Sequence, residues 1–357
     1  MAVLTPREGP DTRRPDPRRT ATDGSELGPT EPARRILLVS RDDHLDSLLA
    51  RRRVAAHLGD LRPVRDPTGQ PLPDVALVCD DEDTTNRLLE SGVPVVHLSS
   101  GHEGTTGTTG VTGTSGTTGT SGTTGASGSS AATGAAGRAL HRVHRPGWLP
   151  GPAPASTGFR PTGVRPTGLL APARSARKRE RAGTLLLLSA WDVPDAEADT
   201  FIAGTLPALV REALRRTGRC DVVGDTRLTP IRAALAGLAG RREVRVSRAV
   251  DVDVDALHAG AEVFLAAPTL GALALAQARR APLVFLPALG DTQRDLAACV
   301  RHLVPVPPAD DPEDDAMWLP PERKATALWS VLDPDLDDLR GAQRVARTLR
   351  QLSLAPL

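Results

Sequence analysis

The chain has 357 residues, with 44 Lys and Arg against 43 Asp and Glu and a hydrophobic content of 39%. That balance fits a soluble globular protein long enough for two domains, and it excludes a globally basic nucleic-acid-binding chain, so nucleic acid is not expected as a partner. The three cysteines, Cys79, Cys220 and Cys299, are spaced for neither a disulfide framework nor a zinc site; no metal and no cofactor are expected, and a reducing cytoplasm is the expected compartment.

Residues 1–33 are rich in Arg, Pro, Thr, Asp and Gly and lack the apolar core of a secretory signal, so they read as a disordered leader. No later run approaches the roughly 20 apolar residues of a membrane span. Order begins at Arg34. Ile36 to Ser40 reads as a buried strand, and His44 to Leu58 follows with helical apolar spacing. Asp74 to Cys79 is a second strand, a helix lies near Asp83 to Ser91, and Val93 to Leu98 is a third strand. Residues 34–172 are therefore expected to form a first, Rossmann-like domain.

From Gly101 to Gly128 every third residue is Gly, separated by Thr, Ser and little else. A period of three raises collagen, but the tract holds no Pro and few triplets. Residues 104–137 read instead as a flexible low-complexity insertion in the first domain. Sequence with more ordered character returns at Trp148 and at Thr167 to Leu170, and residues 173–182 form a linker.

Residues 183–357 alternate more regularly. Strands are expected at Thr184 to Ser189, Cys220 to Gly224 and Glu243 to Ser247, with helices at Ala196 to Thr217, Thr229 to Ala239 and Val254 to Ala259. Asp251, Asp253 and Asp255 alternate, but no Gly turn or distal carboxylate completes a calcium loop, so a solvated strand end or helix cap is the better reading. Further helices are expected at Asp291 to His302, Glu322 to Leu332 and Leu336 to Leu352. The pattern is that of a doubly wound parallel sheet.

Within this half, Ala261 to Gln293 reads as strand, Pro-Thr turn, Ala-rich helix, strand and Pro-led loop. In such a βαβ unit ligands sit beyond the carboxyl ends of the strands, and the helix N-terminus at Ala266 to Gly271 suits an anion such as a diphosphate.

Two Rossmann-like halves with this loop late in the second resemble the GT-B glycosyltransferases, and among them the cytosylglucuronate (CGA) synthase-related proteins; the lipid-II-forming N-acetylglucosaminyltransferases are more distant. The resemblance is carried by Pro268-Thr269-Leu270-Gly271-Ala272-Leu273, the strand Leu283 to Pro287 and the ending Thr292-Gln293. It implies an α/β, GT-B-like fold of two doubly wound domains. It also implies a UDP-sugar donor held by Pro268, Thr269, Leu270, Gly271, Asp291, Thr292 and Gln293, and a small-molecule acceptor on the first domain.

The chain departs from the family's P-G-L-T-T-x-x-E pattern, having Thr269, Gly271, Ala272 and Leu275 at the corresponding positions. Leu275 cannot accept the ribose hydroxyl bonds that a carboxylate accepts, and Gln277, two residues on, points to roughly the opposite helix face. After the first strand, Ser40-Arg41-Asp42-Asp43-His44 replaces a Gly-rich loop and leaves His44 as the candidate catalytic base. Each residue also has a plain structural reading: Thr269 or Asp291 as a helix cap, Gly271 as a close-packing position, His44 as an ordinary helix-start residue.

Two functions follow from these residues: transfer of a sugar from a UDP-sugar to a small acceptor, or a binding or regulatory role on a scaffold that has lost donor chemistry. A GT-B-fold epimerase ranks below both. If the Gly-Thr tract is a passive insertion, a chain lacking residues 104–137 keeps the soluble yield and melting temperature of the full chain, and a large loss of soluble yield contradicts that.

Overall fold

The computed structural model describes residues 34–64, 72–101, 139–150, 165–174, 176, 178, 180–239, 243–318, 328–333 and 335–354. The expected leader at 1–33, the insertion at 104–137 and most of the expected helix at 322–332 lie outside the described residues.

The first half comprises β1 (Arg35–Ser40), α1 (Leu45–Ala55), β2 (Arg62–Val64), β3 (Val75–Cys79), α2 (Glu82–Glu90), β4 (Val95–Ser99), β5 (Ala139–Val143) and β6 (Arg165–Pro166). Its strands form one parallel sheet in the order β2-β1-β3-β4-β5-β6. The register aligns Ile36 with Val75 and Ser40 with Cys79. β3, Val-Ala-Leu-Val-Cys, is buried throughout, as expected of a parallel strand covered on both faces. Strands β2, β5 and β6 were not expected. They lie toward the sheet's edges, where β6 tolerates Pro166 because an edge strand can do without its N–H.

The second half comprises β7 (Thr184–Leu188), α3 (Asp195–Thr200), a π-helical turn at Phe201–Thr205, α4 (Leu206–Thr217), β8 (Cys220–Gly224), α5 (Leu228–Ala234), α6 (Ala236–Ala239) and β9 (Val244–Arg248). After a 3-10 turn at Ala249–Asp251 come α7 (Val254–Gly260), β10 (Val263–Ala266), α8 (Leu270–Ala278), β11 (Val284–Phe285), α9 (Gly290–Leu303), α10 (Asp315–Trp318) and α11 (Gly341–Leu354). The parallel sheet has the order β11-β10-β7-β8-β9. One long helix was expected from Ala196 to Thr217, and the path is instead interrupted by the π turn. Pro207 opens α4 without an N–H to give the preceding turn, which accounts for the wider bonding there. α4 then stops at Gly218, whose φ of 70° is the left-handed helix-ending conformation. Two doubly wound α/β halves give the GT-B-like architecture.

The last helix differs from its expected position in two ways. It begins at Gly341 rather than Leu336, because the Asp337 carboxylate accepts from the backbone N–H groups of Leu339 (3.0 Å), Leu169 (2.9 Å) and Gly147 (3.4 Å) and holds the preceding residues in turns. Sequence grouped it with residues 183–357. Its apolar face, Val345, Ala346 and Leu349, packs instead with Ile36, Val75, Leu77 and Val96 of the first sheet.

A single apolar cluster runs across both halves, joining Leu45, Leu48 and Leu49 of α1 and Trp148 to Leu270, Leu273, Phe264 and Phe285 of the second half. At the other junction, a Cβ on Gly341 would lie 2.6 Å from the carbonyl oxygens of both Gly168 and Leu169. Gly341→Ala is expected to destabilise the fold by about 1–3 kcal/mol, because both obstacles are backbone and must move. A melting temperature equal to that of the unaltered chain contradicts this packing.

Candidate functional site

In a doubly wound sheet the ligand crevice lies beyond the carboxyl ends of the strands, where the strand order reverses. The first sheet reverses between β1 and β3, and the second between β7 and β10. The loops leaving those strands carry His44, Asp80, Trp191 and Thr269, and the two reversal points face each other.

At the second reversal point, α8 starts from Thr269, whose hydroxyl accepts from Ala272 N–H at 3.2 Å. This is the capping role open to Thr269 from sequence. The first-turn N–H groups of α8 are accounted for in full. Leu273 N–H bonds the Thr269 carbonyl at 3.1 Å. Leu270 and Gly271 give their N–H groups to the two carboxylate oxygens of Asp46, at 3.0 and 2.6 Å. Asp46 sits in the first turn of α1, is 3% exposed, and has its carboxyl pushed up by burial against the opposing pull of the two N–H groups and Arg53. Pro268, Thr269, Leu270 and Gly271 are all buried.

The rest of α1 binds the second half as firmly. Arg52 donates to the carbonyls of Ala249 (2.9 Å), Val252 (2.6 Å) and Val250. Arg53 pairs with the Asp255 carboxylate at 2.9 Å and donates to the carbonyls of Leu170 and Gly271. Asp253 caps α7 by accepting from Ala256 N–H, so two members of the Asp251, Asp253, Asp255 series have structural partners.

At the first reversal point, His44 precedes α1, is 3% exposed, and stacks on Trp191 with ring centroids 4.0 Å apart. Its Nδ1 lies 3.7 Å from Asp80 Oδ2. Asp80 ends β3 with a left-handed φ of 53°, and its other oxygen accepts from the N–H and hydroxyl of Ser100 at 2.6 and 2.8 Å. Burial and nearby Asp46 outweigh those bonds and push the Asp80 carboxyl up to about 6. Arg41 lies 5.7 Å from the Trp191 ring.

The loop holding Trp191 also reaches the start of α9. Gln293 is 4% exposed; its amide donates to the Ser189 carbonyl at 2.8 Å and accepts from Leu289 N–H at 3.1 Å. Thr292 donates to Asp192 at 3.4 Å, while Asp291 is exposed and pairs with Arg294. Gln293 forms one wall of a small, largely apolar recess shared with Ser189, Asp225, Phe201, Ile202 and Ile231. The buried Asp225 carboxylate organises its rim by accepting from Ser189 Oγ, Ala190 N–H and Thr226 N–H. The expected site residues thus fall into three places: Pro268 to Gly271 against α1, His44 beneath Trp191, and Asp291 to Gln293 at α9.

A family model described as CGA synthase-related protein matches residues 36–357. The chain belongs to this family. No curated protein matches it. Among solved structures it is similar to the glycosyltransferase SnogD from Streptomyces nogalater, at 14% identity over 90% of this chain and 100% of that one, with a TM-score of 0.45. It is similar also to Acinetobacter baumannii MurG, at 10% identity over 90% and 100% of the two chains and a TM-score of 0.36. LpCGTa, solved in complex with UDP, is 12% identical over 91% and 96% of the chains, with a TM-score of 0.39.

In this CGA synthase-related chain the sequence reading missed Asp46, Asp80, Arg53 and Trp191. Asp46 left a trace as an acid among Leu45, Leu48 and Leu49, and Asp80 as an acid at a strand's carboxyl end. No group of three or more His, Cys, Asp or Glu able to hold a metal occurs among the described residues. None of their helices is long and apolar enough to cross a membrane.

The raised Asp80 carboxyl has a definite pH signature. Its ordinary value is 3.8 and its folded value about 6, so the folded chain holds the proton more tightly and loses stability as pH rises through that window. Asp80→Asn keeps an acceptor for Ser100 without the buried charge. It is expected to flatten this slope and to stabilise the chain at pH 7 by on the order of 1–3 kcal/mol, measured by denaturant unfolding at several pH values; an unaltered slope contradicts the assignment.

Proposed function

We propose that this chain is a GT-B-fold binding or regulatory protein that keeps the sugar-nucleotide scaffold of its family without transferring a sugar. The observation that carries this reading is the Asp46 carboxylate on the N–H groups of Leu270 and Gly271. A donor diphosphate would need those same groups. Leu275, fully buried and apolar where the family pattern has a carboxylate, supports it. So does His44, which lies under Trp191 and out of reach of an acceptor hydroxyl. We read the protein as cytosolic, in keeping with its three free cysteines.

One observation favours a transferase instead. His44 beside Asp80 is a base with a carboxylate to orient it. In that reading His44 takes the proton of an acceptor hydroxyl and the acceptor oxygen attacks the anomeric carbon. The bond from that carbon to the diphosphate oxygen then breaks and UDP departs. Asp46 must first leave α8, and Trp191 must move off His44.

UDP release from UDP-glucose, UDP-N-acetylglucosamine and UDP-glucuronate, with and without simple alcohol acceptors, separates the two. The expected result is no release above the protein-free blank. Release that Asp80→Asn slows and His44→Ala abolishes would establish the transferase reading in its place.

A further inference from the structure

The sheet of the first half places two histidines side by side, apart from the contacts of α1 with α8. His97 of β4 and His141 of β5 are directly opposite in the parallel register, and their rings approach to 5.4 Å between centroids, tilted by 41°. His97 is buried and His141 half-buried.

Thr85 of α2 fixes what the His97 ring can offer. Its hydroxyl lies 2.9 Å from the Asp81 carbonyl, which can only accept, so the single hydroxyl hydrogen goes there. Toward His97 Nδ1, at 2.8 Å, the same oxygen must therefore accept. Nδ1 carries the ring proton, and Nε2 keeps its lone pair. Ligating imidazoles are commonly held in this way, by a hydrogen bond at the other nitrogen that sets the tautomer. Burial, and after it the neighbouring His141, push the His97 imidazole down to about 4, so the ring is neutral at pH 7, as a metal ligand must be.

Neither ring makes a further hydrogen bond among the described residues. The Asp81 carboxylate, which pulls the other way on His97, is committed to the N–H and hydroxyl of Thr84 at 2.9 and 2.8 Å. Metal–nitrogen bonds of about 2.1 Å put the centres of two imidazoles on one tetrahedral ion about 5 Å apart. The observed 5.4 Å meets that spacing. Every residue of β5 is partly exposed, so an ion can reach the pair from that strand's side.

We propose that His97 and His141 form a two-imidazole site for a late first-row divalent cation, with water completing the coordination. Two nitrogen donors without a carboxylate favour Zn²⁺, Ni²⁺ or Cu²⁺ over Mg²⁺ or Ca²⁺. Two protein ligands are fewer than the three or four of catalytic and structural zinc sites, so the ion exchanges and is not a part of the fold. The site stands whether or not the chain transfers a sugar.

Zn²⁺ titrated by calorimetry into the full chain without an affinity tag is expected to bind at one ion per chain. His141→Asn, at the half-buried position, is expected to weaken that binding at least tenfold, and His302→Asn, at an exposed position on α9, to leave it unchanged. Thr85→Val keeps the shape of the side chain and removes the group that sets the tautomer, and a loss of about tenfold is expected. Long-range proton–nitrogen NMR on the unaltered chain reads the rings directly. Without metal His97 is expected as the Nδ1–H tautomer, and one equivalent of Zn²⁺ is expected to shift the ring nitrogens of both histidines. Binding that His141→Asn leaves intact, or Zn²⁺ that moves neither ring, overturns the site. So does a His97 that carries its proton on Nε2. Should His141→Asn not fold, the NMR measurement on the unaltered chain decides alone.

Discussion

One buried carboxylate decides how the halves of this protein meet. Removing a charge such as that of Asp46 from water costs several kcal/mol unless it is closely compensated. Compensation comes from across the cleft, in the two N–H groups of Leu270 and Gly271 and the positive end of the α8 dipole. Bonds of 2.6 and 3.0 Å leave no gap between α1 and α8. Leu49 is therefore driven against Gly271, where only a residue without a side chain fits.

That contact makes other features of the site intelligible together. With α1 seated, α8 is covered on every side from Leu270 to Ala276, and a helix so enclosed is expected to be apolar all round. Leu275 belongs to that enclosure and packs in the core shared by both halves. A carboxylate at 275 would lie in the same dry cluster without water or a partner. The apolar Leu275 and the close contact of α1 with α8 are two consequences of one packing arrangement. Arg52 completes it by donating to the carbonyls of Ala249, Val250 and Val252 at the 3-10 turn, a geometry that fixes the C-terminal end of α1 as Asp46 fixes its start.

The alternation of apolar strands and amphipathic helices was legible in the sequence because it is local: Val-Ala-Leu-Val-Cys has one plausible fate and Thr269 an evident capping role. Short edge strands were not. Arg62 to Val64 and Arg165–Pro166 carry too few residues to show a period. α11 announced an apolar face, yet amphipathicity says only that a face is buried, not against which sheet, and the first sheet took it. The same limit hid the chief feature of the site. An acid in the first turn of α1 is locally favourable for α1 itself, so Asp46 needed no distant partner to make sense. Asp80 and Trp191 acquire meaning only when two loops more than a hundred residues apart face each other.

The three groups of site residues depend on different parts of this arrangement. His44 immediately precedes α1 and Asp46 lies two residues further on, so a displacement of α1 that frees the α8 N-terminus also draws His44 away from Trp191 and alters its approach to Asp80. Gln293 and Thr292 are anchored to Ser189 and Asp192, within the second half, and such a movement leaves them in place. His44 and the N-terminus of α8 are thus coupled through a single helix, while the α9 contacts stand apart from it. Because Asp46 is held against α8 by its own chain, a free anion at the Leu270 and Gly271 N–H groups would have to outcompete an intramolecular carboxylate, and the contact between α1 and α8 would have to open for it to do so.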